Sequence, residues 1–350
     1  MENNQIQNEK LHLIATLIEK ALKVVDQPRE QEIITRRFGL NGAKETLEQI
    51  GERLDITRER VRQLEKAALI RLKIASEKGE IEHLAEIEKA LIRNLAESGR
   101  ISKTQALADH YLEKSASAQE VSNILFITEI SSKLVVIQEN DKYHSAIANA
   151  EYGDERKIKT AIDEIVNIIK KNKSPMTLDE LDAKLSYEHP SQIEAIASIS
   201  KLLASLNGIW GLEKWPSVNP KNIRDKIFVI LGAKKEPMHF SEIAEEIRKS
   251  DFSRKDVTTQ AIHNELIKDK RFVLIGRGIY ALDDWGFKKG TVADTIAAVL
   301  KEAGEPLYRD EIVKRVLEKR KVKETTVLLN LQSKKEFVRV AKATYTLAEQ

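Results

Sequence analysis

Arg58, Glu59, Arg62 and Gln63 are side chains of the types that read base edges. Arginine grips guanine O6 and N7 with two hydrogen bonds, glutamate accepts from cytosine N4, and glutamine pairs with adenine. Spacings of one, three and four residues put them on one face of an α-helix. Thr57, Arg60 and Lys66 flank them, with hydroxyl and cationic groups suited to phosphate oxygens. Residues 58–73 hold six basic and two acidic side chains, a local charge of +4. The whole chain carries 58 basic and 55 acidic residues and only +3, so the positive charge is concentrated locally. The plain alternative is a solvated helix face laced with i,i+4 pairs. What separates the two is the set of elements placed before this helix.

Those elements have clear punctuation. Leu13, Ile14, Leu17, Ile18, Ala21 and Leu22 recur at helical spacing. Pro28 opens a second helix with Ile33, Ile34 and Phe38 on one face, and Gly39 ends it. Thr46 and Gln49 form a capping-box pattern for a short helix that buries Leu47, Ile50 and Leu54. Asp55-Ile56 is a tight turn, and Thr57 caps a long helix running to about Ala75 with Val61, Leu64 and Ala68 inward. A short helix, a tight turn and a basic helix together make a helix-turn-helix, whose second helix enters a major groove.

Residues 28–40 (Pro-Arg-Glu-Gln-Glu-Ile-Ile-Thr-Arg-Arg-Phe-Gly-Leu) and 46–65, with Thr-Arg-Glu-Arg-Val-Arg-Gln-Leu-Glu at 57–65, resemble region 4 of the sigma-70 family. The resemblance covers residues 21–75. It implies that Arg58, Glu59, Arg62 and Gln63 face promoter −35 bases. It also implies that Arg29, Glu30, Thr46 and Leu47 lie near the DNA backbone, and that the domain holds RNA polymerase core, through the β-subunit flap, by its apolar surface. Ile70 stands where related sigmas often carry a basic residue. No segment resembles the aromatic-rich helix that melts the −10 element, and too few residues precede Pro28 to hold it, so a complete primary sigma factor is not expected.

From about residue 85 a pattern repeats. Residues 219–286 read as three helices and a hairpin, the helix after Lys-Glu-Pro-Met-His-Phe being capped by Ser241 and the hairpin turning at Gly276-Arg277-Gly278. Weaker copies cover 85–148, 156–215 and 289–348. Tyr143, Trp210, Tyr280 and Tyr345 serve as anchor aromatics at spacings of 67, 70 and 65 residues. Trp210, Trp215, Tyr280 and Trp285 are expected to pack in cores or hairpins. The Gly-Arg-Gly-Ile-Tyr-Ala-Leu-Asp-Asp-Trp run at 276–285 resembles the HARE-HTH winged-helix family, found in the RNA polymerase delta subunit. In such units Arg254, Lys255, Lys268, Lys270, Arg271 and Arg277 are candidates for phosphate contact from a helix and wing, against the alternative of a solvated rim.

The expected fold is mainly α: a sigma region 4-type helix-turn-helix over 11–78 followed by tandem winged-helix domains at 85–148, 156–215, 219–286 and 289–348. The expected partners are double-stranded promoter DNA and RNA polymerase, with no membrane, small-molecule substrate, metal or cofactor. The chain has no cysteine, which excludes disulfides and thiolate metal sites and suits a reducing cytoplasm, at the nucleoid. Aromatics are 5%, too few for large stacking platforms. The seven histidines are scattered, and neither a phosphate loop nor a nucleophile elbow occurs, so no enzyme is expected. Two rival readings stay open: a delta-like polymerase scaffold that reads no sequence, and the DNA-targeting part of a restriction or repair system.

Overall fold

The computed structural model describes residues 2–185, 187, 190–250, 257–287, 291–319 and 322–348. It is mainly helical, with small antiparallel sheets. The chain forms two units, Met1–Lys214 and Trp215–Gln350.

The first unit begins with α1 (Glu2–Val24), α2 (Pro28–Phe38), α3 (Leu47–Leu54) and α4 (Arg58–Glu77). Proline opens α2 where its missing N–H costs nothing, and Gly39 ends it at φ 67°. Then come α5 (Leu84–Glu97), β1 (Ile101–Lys103), α6 (Thr104–Leu112), α7 (Ala118–Ile130), β2 (Leu134–Ile137) and β3 (Ala146–Asn149). The unit ends with α8 (Glu155–Asn172), β4 (Met176–Thr177), α9 (Leu178–Asp182), α10 (Pro190–Ile199), β5 (Leu203–Leu206) and β6 (Ile209–Leu212).

One hydrophobic core joins the first four helices to the segment after them. Ile14, Leu17 and Ala21 of α1, Ile34 and Phe38 of α2, and Ala68, Leu72 and Ala75 of α4 pack with Tyr111 of α6 and Phe126 and Ile127 of α7. The core therefore does not break near residues 76–80, where glycine and charge predict a linker. The Phe38 and Phe126 rings meet edge-on, 5.3 Å apart, a favoured aromatic geometry.

The second unit runs α11 (Ile223–Lys234), β7 (Met238–His239), α12 (Phe240–Lys249), α13 (Thr259–Lys268), β8 (Phe272–Gly276) and β9 (Ile279–Leu282). It continues with α14 (Val292–Ala303), β10 (Leu307–Tyr308), α15 (Arg309–Lys319), α16 (Glu324–Ser333), β11 (Phe337–Ala341) and β12 (Thr344–Leu347). Each half keeps its own core, one around Ile227, Ile243, Ile262 and Tyr280, the other around Ile296, Ile312, Val327 and Tyr345.

The same order recurs four times from α5 onward: helix, short strand, two helices, two strands. In each sheet the last strand lies between the other two, as in β1-β3-β2 and β7-β9-β8. Trp210, Tyr280 and Tyr345 sit at matching positions, opposite Met176, Met238 and Leu307. Tyr143 does not share that role. It lies outside β3, bridges to Ser200, and its hydroxyl donates to Asp163 at 2.9 Å, so it ties one repeat to the next.

The cap of α12 also differs from expectation. His239, not Ser241, is the N-cap: its Nδ1 accepts from the Ser241 N–H at 3.3 Å, and Glu242 returns a bond to the His239 N–H at 2.9 Å. A neutral imidazole nitrogen is an acceptor, which a search for hydroxyl and carboxamide caps passes over.

Candidate nucleic-acid interface

The site starts from a small cluster. Ile33 of α2, Ile50 of α3 and Val61 of α4 are fully buried together, with Leu47, Leu54, Ile56 and Leu64 packed around them. The start of α3 is fixed by a capping box, in which the Gln49 N–H reaches Thr46 Oγ1 at 3.3 Å and the Thr46 N–H reaches Gln49 Oε1 at 2.8 Å. The chain then reverses at Asp55, φ 52°, where the Ile56 N–H donates to the Gly51 carbonyl at 3.0 Å. Gly51 is required by close approach, because a Cβ there would stand 2.6 Å from the Ile56 carbonyl oxygen. Thr57 then caps α4 by accepting from the Arg60 N–H at 3.2 Å, an interaction of about 1 kcal/mol.

With Val61 and Ala68 inward, the first two turns of α4 expose Arg58, Glu59, Arg60, Arg62, Gln63 and Lys66. Several of these side chains interact. Arg62 donates to both Glu59 oxygens at 2.7 and 2.8 Å, and both residues stay more than half exposed. Gln63 reaches Glu59 and Arg60 reaches Gln63, each at 3.4 Å. Arg58 and Lys66 make no ion pair among the described residues. Exposed pairs of this kind contribute a few tenths of a kcal/mol, so a base edge can replace them cheaply.

The Arg62 hydrogen bonds hold the Glu59 carboxyl down to about 2, against a weaker opposing effect of desolvation. Its folded value is depressed, so the pairing contributes fully above the ordinary 4.5 and is lost as pH falls towards 2. A side-chain carboxyl NMR titration should place the Glu59 midpoint below the ordinary 4.5 and return it towards 4.5 in Arg62→Ala. A wild-type midpoint near 4.5 would contradict the pairing. Burial pushes Glu65 the other way, upward, opposed by Arg37 at 3.3 Å.

The flanking candidates separate. Arg29 is exposed and donates to the Leu54 carbonyl at the end of α3. Thr46 is exposed at the start of α3, whereas Leu47 is half-buried in the cluster. Glu30 does not lie on this surface. It is 3% exposed and ion-paired with Arg71, so its carboxylate braces α2 against α4. In the second unit Lys268, Lys270 and Arg277 are exposed, Arg277 in the β8–β9 turn. Arg271 is engaged: it pairs with Asp269 at 2.7 Å and Asp225 at 3.2 Å and lies over the Phe228 and Phe272 rings. Arg254 and Lys255 lie outside the described residues.

Two supporting residues carry no sequence signal of their own. Gln119 of α7 donates its amide to the Gly39 and Leu40 carbonyls at 2.8 and 2.7 Å, clamping the end of α2. Phe126 backs Phe38. Both lie more than 70 residues from what they hold, so neither periodicity nor capping could reveal them. Among the described residues no cluster suits a metal ion, and no helix is long and apolar enough to cross a membrane.

A capped short helix, a glycine-tight reversal and a basic helix with an outward polar face define a helix-turn-helix, a class of DNA-binding element. Residues 27–73 match the family sigma-70, region 4. Over 60 residues the chain is 43% identical to RNA polymerase sigma factor SigA of Clostridium acetobutylicum, and over 50 residues 48% identical to RNA polymerase sigma factor SigA4 of Synechococcus elongatus. It is 53% identical over 47 residues to the chloroplastic RNA polymerase sigma factor sigF of Arabidopsis thaliana. These matches take in 16%, 14% and 13% of this chain, and 16%, 16% and 9% of the relatives. The similarity is thus local, and it supports a DNA-binding, transcription-related role for that segment.

Proposed function

We propose that this chain is a sequence-specific DNA-binding transcription protein that sets α4 in the major groove of −35-type promoter DNA. The observation that carries the reading is the outward row Arg58, Glu59, Arg62 and Gln63 on the first two turns of a helix whose aim is fixed by Gly51 and two threonine caps. Arg58, which makes no ion pair among the described residues, grips a guanine, and Arg62 and Gln63 exchange their bonds to Glu59 for neighbouring bases. Thr57, Arg60, Lys66, Thr46 and Arg29 hold the phosphates. Glu30 acts indirectly, through Arg71.

The four recurring units after α4 are proposed as winged-helix modules of the HARE-HTH kind, with boundaries near 85–148, 156–215, 219–286 and 289–348. Their shared strand order supports this. Lys270 and Arg277 are proposed as wing contacts to phosphate, while Arg271 serves its own ion pairs. Association with RNA polymerase is part of the proposal. The β-subunit flap is its proposed route: α4 keeps Ile70 and Ile74 exposed as an apolar surface, while its Ala68, Leu72 and Ala75 are buried against α1, α6 and α7.

The test is selection of duplexes from a random pool, followed by titration of the preferred one. Arg58→Ala should cost about 1–3 kcal/mol on that duplex and little on random DNA. Lys66→Ala should weaken both and lower the salt slope by about 1. No preferred duplex, or an unchanged preferred affinity in Arg58→Ala, would refute base reading and favour the polymerase-scaffold alternative.

A further inference from the structure

Positive charge gathers in a second place within the first unit. Three segments are laced together beyond the loop that joins α2 to α3. The Thr104 N–H donates to the Ser145 carbonyl at 2.9 Å, the His144 N–H to the Ile199 carbonyl at 2.8 Å, and the Lys201 N–H to the Lys142 carbonyl at 2.8 Å. Asn140 shapes the turn before them, accepting from the Lys142 and Tyr143 N–H groups at 2.8 and 3.1 Å. The lacing brings Lys103 and Lys201 close enough to His144 for both to act on its charge. Glu139 pairs with Lys201 at 2.7 Å and stands within charge range of His144 and Lys44. Lys44 lies two residues before the Thr46 cap of α3, in the loop that Gln119 of α7 holds at Gly39 and Leu40. The patch therefore runs from the start of α3 through Lys44 and His144 to Lys103 and Lys201.

This charge is not neutralised. Lys44 and Lys103 make no ion pair among the described residues. Burial holds the Lys103 ammonium below its ordinary value, and burial followed by Lys103 and Lys201 does the same to His144. Glu139 is already taken by Lys201, and Asp141, exposed in the turn, is not among the groups that act on His144. A half-buried ammonium has lost hydration without gaining a counter-charge, a cost that an incoming anion removes. The surroundings say which anion. None of the exposed large apolar side chains among the described residues belongs to these segments, so the apolar anchors of a protein interface are missing. The phosphates of a duplex need charge and no apolar partner.

We propose that Lys44, Lys103 and Lys201 form a second phosphate-binding surface, which takes the backbone of the duplex outside the segment that α4 reads. The inference rests on the placing of α4 in DNA. Lys44 continues the line of backbone contacts from Thr46, and Lys103 and Lys201 extend it onto the first of the recurring units. Phosphate takes Lys201 from Glu139, whose side chain is 61% exposed, so the exchange is cheap.

The probes are two duplexes carrying the preferred site, one about a helical turn long, ~10 bp, and one extended by about a further turn at each end. Each is titrated into the full chain over a range of salt. The longer duplex should bind more tightly, with the steeper salt dependence. Lys103→Gln with Lys201→Gln should weaken the longer duplex roughly tenfold, lower its salt slope by about 2 and leave the shorter within about twofold. Glu139→Gln should act with the opposite sign and tighten the longer duplex several-fold, a gain that unfolding cannot imitate. The same shifts are expected on a random duplex of the longer length, because phosphates carry no sequence. A failure of base reading by Arg58 therefore leaves this result standing. The proposal is overturned if the two lengths bind alike, if the double-glutamine chain keeps the native salt slope, or if Glu139→Gln binds no tighter. Loss of polymerase capture by the double-glutamine chain, with duplex binding unchanged, would also overturn it and assign the patch to an acidic protein surface.

Discussion

Phe126→Ala is expected to destabilise the first unit by about 3–5 kcal/mol, the range for deleting a fully buried phenylalanine side chain. Phe126 has no exposed surface, and its ring meets Phe38 at the end of α2. The loss falls where α7 supports the helix-turn-helix, beside the Gln119 clamp on the Gly39 and Leu40 carbonyls. Thermal unfolding checks it: at roughly 2–4 °C per kcal/mol for a unit of this size, the midpoint should fall by about 6–20 °C. Phe126→Leu keeps much of the volume and should cost far less. A fall of under about 2 °C in Phe126→Ala would mean that α7 is not a structural support of α2.

Gly51→Ala is the second large effect, and two terms oppose each other in it. Alanine in place of glycine within a helix gains about 0.5–1 kcal/mol. The new Cβ, however, would stand 2.6 Å from the Ile56 carbonyl oxygen and 3.4 Å from the Arg58 nitrogen. These are backbone atoms of the turn, which cannot rotate away, and overpacking costs about 1–3 kcal/mol. The clash wins, and relief requires α3 and α4 to separate. The effect on duplex binding should exceed the effect on stability. Re-aiming α4 removes Arg58 and Arg62 from their bases together, and one bidentate contact alone is about 1–3 kcal/mol. A loss of tenfold or more on the preferred duplex is expected. Gly42→Ala, whose Cβ would meet nothing within 4 Å, is the matched control and should leave binding unchanged. Wild-type affinity in Gly51→Ala would show that the turn does not set the helix.

What was legible in the sequence is what local physics determines. Thr46 with Gln49, Thr57 and Gly39 mark helix ends through bonds to residues nearby in the chain, Pro28 does so through its missing N–H, and the structure keeps each of them. The Gly276-Arg277-Gly278 turn likewise announces β8–β9, and the spacing of Tyr345 announces β11–β12, whose turn at Lys342-Ala343 carries no glycine. Long-range pairing was not legible. Glu30, in the first turn after Pro28, is expected near the DNA backbone from the sigma resemblance, but Arg71, 41 residues on, meets it and α4 buries it. Tyr143 matches the spacing of the other aromatics, yet it misses the strand register by several residues and serves a contact to Asp163. Arg271 reads as one more cation of a wing, because nothing local says that Asp225 will stand beside it. In each case the deciding partner belongs to another element, and spacing along the chain is silent about it.

The decisive measurement is methylation interference on the preferred duplex. Dimethyl sulfate marks guanine N7 in the major groove and adenine N3 in the minor groove. If α4 reads guanine through Arg58, N7 methylation within the site blocks binding by the native chain, and one of those positions becomes indifferent in Arg58→Ala. Interference confined to adenine N3, or a pattern that Arg58→Ala leaves unaltered, would show that this helix does not enter the major groove.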